Sequence, residues 1–231
     1  MDAALFRRLL RDPEGVARAC REDRDVRDVA AVSLLAVLVG ACAFGCAVGS
    51  FRGGVQIVYA GVKVPLAMIG TLALAAPAFH GVASALGRPW PMRATVALAL
   101  AAAGRAALLM LAFAPALWLL FDFGVGYHTA ALLASCAYGA SGLAALGVLV
   151  RGLGAGPGRA LTALGFVAVF FAVGGQTSWV LRPYLVRPRT ATVPFARSRE
   201  GGFADAVFTS GRSSMGIYTR SSPDEPREDA R

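Results

Sequence analysis

Five long apolar stretches dominate this sequence and restrict the folds that are open to it. They cover residues 29–49, 62–86, 94–121, 128–150 and 159–181, and charged residues, glycine or proline separate them. A helix needs about 20 mostly apolar residues to cross the hydrocarbon layer. Backbone polar groups in lipid must find their hydrogen bonds within such a segment. The sequence therefore predicts an all-α polytopic transmembrane helical bundle with five spans.

Charge is distributed unevenly along the chain. The net charge is +9 although 56% of the residues are hydrophobic. Residues 1–28 hold seven Arg and seven Asp or Glu, residues 29–181 hold only eight charged side chains, and residues 182–231 hold nine Arg. A nucleic-acid site needs basic residues clustered on one face. In residues 29–181 the excess positive charge is spread mainly over the segments between spans and forms no such cluster. The sequence therefore predicts no nucleic-acid partner.

The charged head, residues 1–28, has an amphipathic pattern. Leu5, Phe6, Leu9 and Leu10 fall on one helical face beside arginines. Such a helix is expected to lie in the plane of the lipid headgroups. Asp12 before a proline then predicts a second helix start.

The tail, residues 182–231, is rich in Arg, Pro and Ser and is predicted to be disordered at its end. Trp179 and Arg182 fit an anchor at the membrane interface. Charged termini of this kind are usually solvated faces. The functional alternative is a docking surface for a protein partner on residues 1–28 or 182–231.

Charges between the spans indicate the orientation. With a cytoplasmic N-terminus, the two inner connections carry four Arg, and the outer ones carry Arg52, Lys63 and Asp122. The positive-inside rule then favours a cytoplasmic N-terminus, although it places the Arg-rich tail outside. The Arg-heavy, Ala/Gly-rich composition with a single lysine suggests a high-GC bacterium, and hence its inner membrane.

The inventory of reactive side chains is small. Asp122 is the only acid between Asp28 and Glu200, whereas ion-coupled transporters and pumps usually place carboxylates within their spans. The two histidines, His80 and His128, are too few for a catalytic metal site. The sequence predicts no metal, cofactor or catalytic residue.

One serine motif requires a separate test. Residues 139–142 read Gly-Ala-Ser-Gly and resemble the Gly-x-Ser-Gly motif of rhomboid intramembrane proteases. A nucleophilic Ser141 needs a base within hydrogen-bond reach, and no His follows residue 128, so His80 would have to serve. The alternative is that small residues permit close helix packing, as Gly45 and Gly49 also do.

Arg105 lies inside the third apolar stretch. A charge there is costly unless it pairs or its side chain reaches the interface. The functional alternative is a buried cation that binds an anionic headgroup or free carbonyls.

The chain resembles bacterial members of the Yip family of five-span membrane proteins over about residues 5–180. The resemblance rests on the Leu-Leu-Arg-Asp-Pro-Glu start and on a helix end with His80, a Leu86-Gly87 turn, Arg93 and then Pro115. The family's eukaryotic members act in vesicle traffic and contact small GTPases. The resemblance implies five helices and carries no catalytic residues. The QTSWVLRP segment at residues 176–183 is similar to segments of uncharacterised bacterial membrane proteins.

These features together predict a non-enzymatic scaffold or accessory subunit of a membrane complex. The alternatives are a small-molecule or lipid transporter or channel with Arg105 in its path, and an intramembrane serine hydrolase that uses Ser141. The candidate functional residues are Arg105, His80, Gln176, Trp179 and Arg182.

Overall fold

Seven helices form the part of the chain that the computed structural model describes, which is residues 3–87, 90–156, 158–181, 184–186 and 195. The helices are α1 (Ala3–Arg11), α2 (Pro13–Arg21), α3 (Val26–Ser50), α4 (Val55–Ala85), α5 (Met92–Asp122), α6 (Tyr127–Gly152) and α7 (Arg159–Leu181). These residues contain helices and turns and no strand. The predicted all-α fold is confirmed.

The five helices α3 to α7 are each long and apolar enough to cross a membrane. They correspond one to one with the five apolar stretches of the sequence. The chain is therefore an integral membrane protein. Its tail from residue 187 onward lies outside the described residues, apart from Phe195.

The start of α4 differs from its prediction. The helix begins at Val55 rather than at residue 62, so Lys63 is in the helix and not in the preceding connection. Lys63 has no exposed surface, and its ammonium lies 5.9 Å from the ring centroid of Tyr59 and 5.0 Å from that of Phe195. The prediction failed because it treated the charge as a span boundary, whereas two aromatic rings cover it.

Helix α3 packs between α4 and α5 and forms the centre of the bundle. Glycines of α3 make this packing close. A Cβ on Gly45 would overlap the backbone carbonyl of Ala60 in α4, and one on Gly40 would overlap that of Ala107 in α5. Small residues let membrane helices approach to backbone contact, where dispersion forces hold them. Gly45 therefore serves packing within the chain.

The head covers one end of the bundle, which we call the head end. Leu9, Val16 and Cys20 are buried in one apolar cluster with Val32 of α3 and Leu98 of α5. The expectation that the apolar face of Leu5, Phe6, Leu9 and Leu10 lies among lipid headgroups is therefore wrong for Leu9, because the ends of the spans cover it. Leu5 and Phe6 are half-buried against the same cluster, and Leu10 is exposed.

Polar contacts also tie the head to the connections at this end. Arg93 at the start of α5 forms an ion pair with Asp23. Arg21 of α2 donates to the carbonyl of Gly152 over 3.5 Å. The charged side of the head remains exposed.

Burial of Cys20 leads to a labelling prediction. Desolvation raises the pKa of this thiol to about 11, so little thiolate is present at pH 8. With Cys42, Cys46 and Cys136 replaced by alanine, we expect a water-soluble maleimide to label Cys20 about a hundredfold more slowly than a cysteine in the exposed Arg24→Cys control, because the thiolate is the nucleophile. The rate should rise with pH toward 11. Equal rates at pH 8 would show that the head does not pack on the spans.

Candidate functional site

A cleft separates the last two spans. Helix α6 packs chiefly on α5 and α7 packs on α4, while α6 and α7 make little contact with each other. Two cavities, of about 220 Å³ and about 370 Å³, lie along this cleft. We call them the head-side cavity and the far-side cavity.

The head-side cavity is enclosed by α4, α5, α6 and α7. Its walls include Phe79, Met110, Gly142, Phe170 and Ser178. The far-side cavity is bounded by α3, α4, α6 and the segment after α7, with Phe44, Val64, Gly139, Ser178 and Tyr184 in its walls. Tyr138 and Ser178 line both cavities, so the two adjoin along one face of α6 and α7.

The walls of the cleft are mostly apolar, and none of the described residues that line it is charged. Beside it, Ser141 donates its hydroxyl proton to the carbonyl of Ala137 over 2.8 Å, and Thr177 donates to Val173 over 2.8 Å. Such bonds to the preceding turn satisfy hydroxyls without an outside partner. Because apolar side chains make up most of its described walls, the cleft suits a mainly apolar occupant.

Glycines on α6 leave unfilled space along its side of the cleft. Cβ atoms on Gly139 and Gly142 would meet nothing within 4 Å. On α7, a Cβ on Gly174 would lie 3.3 Å from Cγ2 of Thr71, which is a tight contact. Helix α6 thus has unfilled space at the cleft, whereas α7 is seated against α4.

Arg105 is half-buried on α5 and lines neither cavity. Its Nε and Nη1 atoms are buried and have no hydrogen-bond partner among the described residues. The like charge of Arg151, at the end of α6, acts on it electrostatically. Arg105 therefore does not belong to the walls of the cleft.

The other predicted site residues are scattered. His80 is half-buried near the end of α4, and its Nδ1 has no hydrogen-bond partner among the described residues. Gln176 is exposed on α7. Trp179 belongs to the same helix, but its side chain and the whole of Arg182 lie outside the described residues. No hydrogen bond or ion pair in the described part joins Arg105 to His80.

Ser141 and His80 do not form the pair that a serine hydrolase needs. Ser141 is buried and donates to its own helix. His80 makes no hydrogen bond to it among the described residues.

Sequence reasoning missed a polar contact at the opposite end of the bundle. Nε2 of Gln56, a fully buried side chain, donates to the backbone carbonyl of Tyr184 over 2.9 Å and ties the segment after α7 to α4. Burial raises the pKa of the Tyr184 phenol, so the ring stays neutral. The sequence offered one indication of this contact, because Gln56 and Lys63 are polar residues within an otherwise apolar segment.

No family model, curated protein or solved structure matches the chain. The resemblance to the Yip family therefore stays a prediction.

Proposed function

We propose that this protein is a non-enzymatic accessory subunit of a membrane complex, of Yip type, and that the cleft between α6 and α7 receives a transmembrane helix of its partner. One observation carries the proposal. Only 17% of the most apolar segment of α6 and 11% of that of α7 are buried within the chain, against 44% to 56% for the first three spans. Most residues of the last two spans thus keep part of their surface open to other molecules.

The chemistry of the cleft supports a helix as the occupant. Lipid tails are as apolar as leucine, so helices associate in membranes where small residues allow close packing. Gly139 and Gly142 provide such space on α6. Among the described residues its walls are mostly apolar and carry only a few hydroxyl groups, such as those of Tyr138 and Ser178, which favours an apolar occupant.

We place the head end in the cytoplasm of a bacterial cell, with the bundle in the inner membrane. The position of Lys63 supports this orientation, because this charge belongs to α4. The outer connections then retain only Arg52 and Asp122, whereas the inner ones carry four Arg. The charge bias toward a cytoplasmic head end is correspondingly clearer.

Filling the cleft should release the partner. In the double variant Gly139→Leu with Gly142→Leu, we expect the complex extracted from native membranes in mild detergent to fall about tenfold in abundance, since overpacking a close contact costs about 1–3 kcal/mol. Native gel migration measures the complex. The fold should persist, because neither new Cβ meets an atom within 4 Å.

Gly81→Leu is the matched control. Gly81 lies on α4, and a Cβ there also meets nothing within 4 Å, but it does not line the cleft. This variant should keep the complex. A wild-type protein that migrates alone, or a cleft variant that migrates like wild type, would contradict the proposal.

The alternative of a transporter or channel receives no support from Arg105, because Arg105 lines neither cavity. If lipid alone occupies the cleft, cross-linking from position 139 will give lipid adducts and no protein adduct.

A further inference from the structure

Four arginines surround one cavity at the head end, which we call the arginine pocket. Its volume is about 400 Å³, and it is lined by Arg18 and Arg21 of α2, Arg151 of α6 and Arg159 of α7, together with Glu14 and the Gly154-Ala155 turn. The pocket lies where α6 ends and α7 begins.

Local geometry brings the α2 arginines to this place. Arg18 and Arg21 are three residues apart and so share a helix face. Arg21 reaches over Gly154, where a Cβ would stand 2.9 Å from its Nη1 atom, and it donates to Gly152. Gly154 has a φ of +65°, which a side chain would strain.

The end of α6 orients the other two arginines. Arg151 donates to the carbonyl of Gly147 over 3.0 Å, and Arg159 donates to that of Val150 over 3.2 Å. Each bond occupies one of the five N–H donors of a guanidinium. Each bond thereby orients its guanidinium group, and the remaining N–H groups can donate to a ligand.

Positive charge in the pocket is poorly compensated. Glu14 is the one carboxylate among the described residues that line it, and it lies 3.8 Å from Arg18 with both side chains exposed, where an ion pair contributes little. The N-terminus of α7 adds a partial positive charge. The neighbouring head cavity differs, because three arginines and three acids line it.

We propose that the arginine pocket binds a phosphate group. Guanidinium groups bind phosphate through paired hydrogen bonds, which makes a phosphate oxyanion the ligand that best suits a cavity lined by four arginines. The phosphate belongs either to the headgroup of an anionic phospholipid or to a soluble phosphate compound. This site is independent of the cleft and of the accessory role.

The test uses the full-length protein in detergent. Native mass spectrometry measures retention of phosphatidylglycerol against phosphatidylcholine, and titration calorimetry measures binding of inorganic phosphate. We expect wild type to prefer the anionic lipid or to bind phosphate. In the double variant Arg151→Gln with Arg159→Gln, we expect this binding to weaken about thirtyfold, since each basic residue near an anionic surface contributes about 1 kcal/mol and about 1.4 kcal/mol corresponds to a factor of ten. Glu14→Gln should strengthen it.

Arg8→Gln with Arg24→Gln, in the charge-balanced head cavity, is the matched control and should keep the binding. Lipid preference without phosphate binding assigns the site to a headgroup, and phosphate binding assigns it to a soluble ligand; both support the proposal. Absence of both in wild type would overturn it, as would an equal loss in the control. The opposite effect of Glu14→Gln distinguishes lost binding from lost folding.

Discussion

Replacing Gly45 with leucine is expected to destabilise the bundle by about 3 kcal/mol or more. The side chain would overlap the carbonyl of Ala60, and a backbone atom cannot move aside as a side chain can. Overpacking of a tight interior costs about 1–3 kcal/mol and occasionally more. For a chain of this size the unfolding midpoint should fall by about 10 °C. Thermal unfolding of the purified protein in detergent measures it.

Gly81→Leu is also the control for this prediction, because its Cβ meets nothing within 4 Å. Its midpoint should shift by less than about 2 °C, as is usual for a surface change. A Gly45→Leu protein as stable as this control would show that α3 and α4 are not in backbone contact.

Phe79→Ala is expected to loosen α7 and to destabilise the protein by about 3 kcal/mol, the usual cost of removing a buried phenyl ring. Phe79 is 1% exposed, and its ring centroid lies 4.7 Å from that of Phe166, itself 1% exposed. This pair fastens α7 to α4. Thermal unfolding should show the loss. Proteolysis at the end of α7 should become faster.

Phe171→Ala is the matched control, because it removes the same ring from a position that is 70% exposed. We expect it to cost less than about 1 kcal/mol. Equal effects of the two substitutions would mean that α7 is not docked through the Phe79–Phe166 pair.

Sequence reasoning predicted the elements better than their contacts. The five spans were predictable because a continuous apolar run of bilayer length has few other stable structures. The start of α4 was not, because hydropathy cannot distinguish a lysine in a loop from one covered by Tyr59 and Phe195. The head was recognised as amphipathic, but the pattern alone does not say whether lipid or protein covers its apolar face.

The candidate sites depend on tertiary packing. The cleft exists because α6 and α7 pack on different neighbours, which no local pattern records. The arginine pocket joins Arg18 and Arg21 to arginines 130 or more positions away in the chain. The sequence does indicate that Arg151 and Arg159 lie near each other, since they flank a glycine-rich connection. Nothing in the sequence indicates that Arg18 and Arg21 of α2 join them.

Site-specific photocross-linking in native membranes tests the central claim most directly, which is that the α6–α7 cleft holds a partner helix. A cross-linking residue is placed at Gly139 in the cleft or at Gly81 outside it. We predict one discrete protein adduct from position 139, absent from position 81 and lost when Gly142 is also leucine. Adducts with lipid alone at position 139, or the same protein adducts at both positions, would contradict the account.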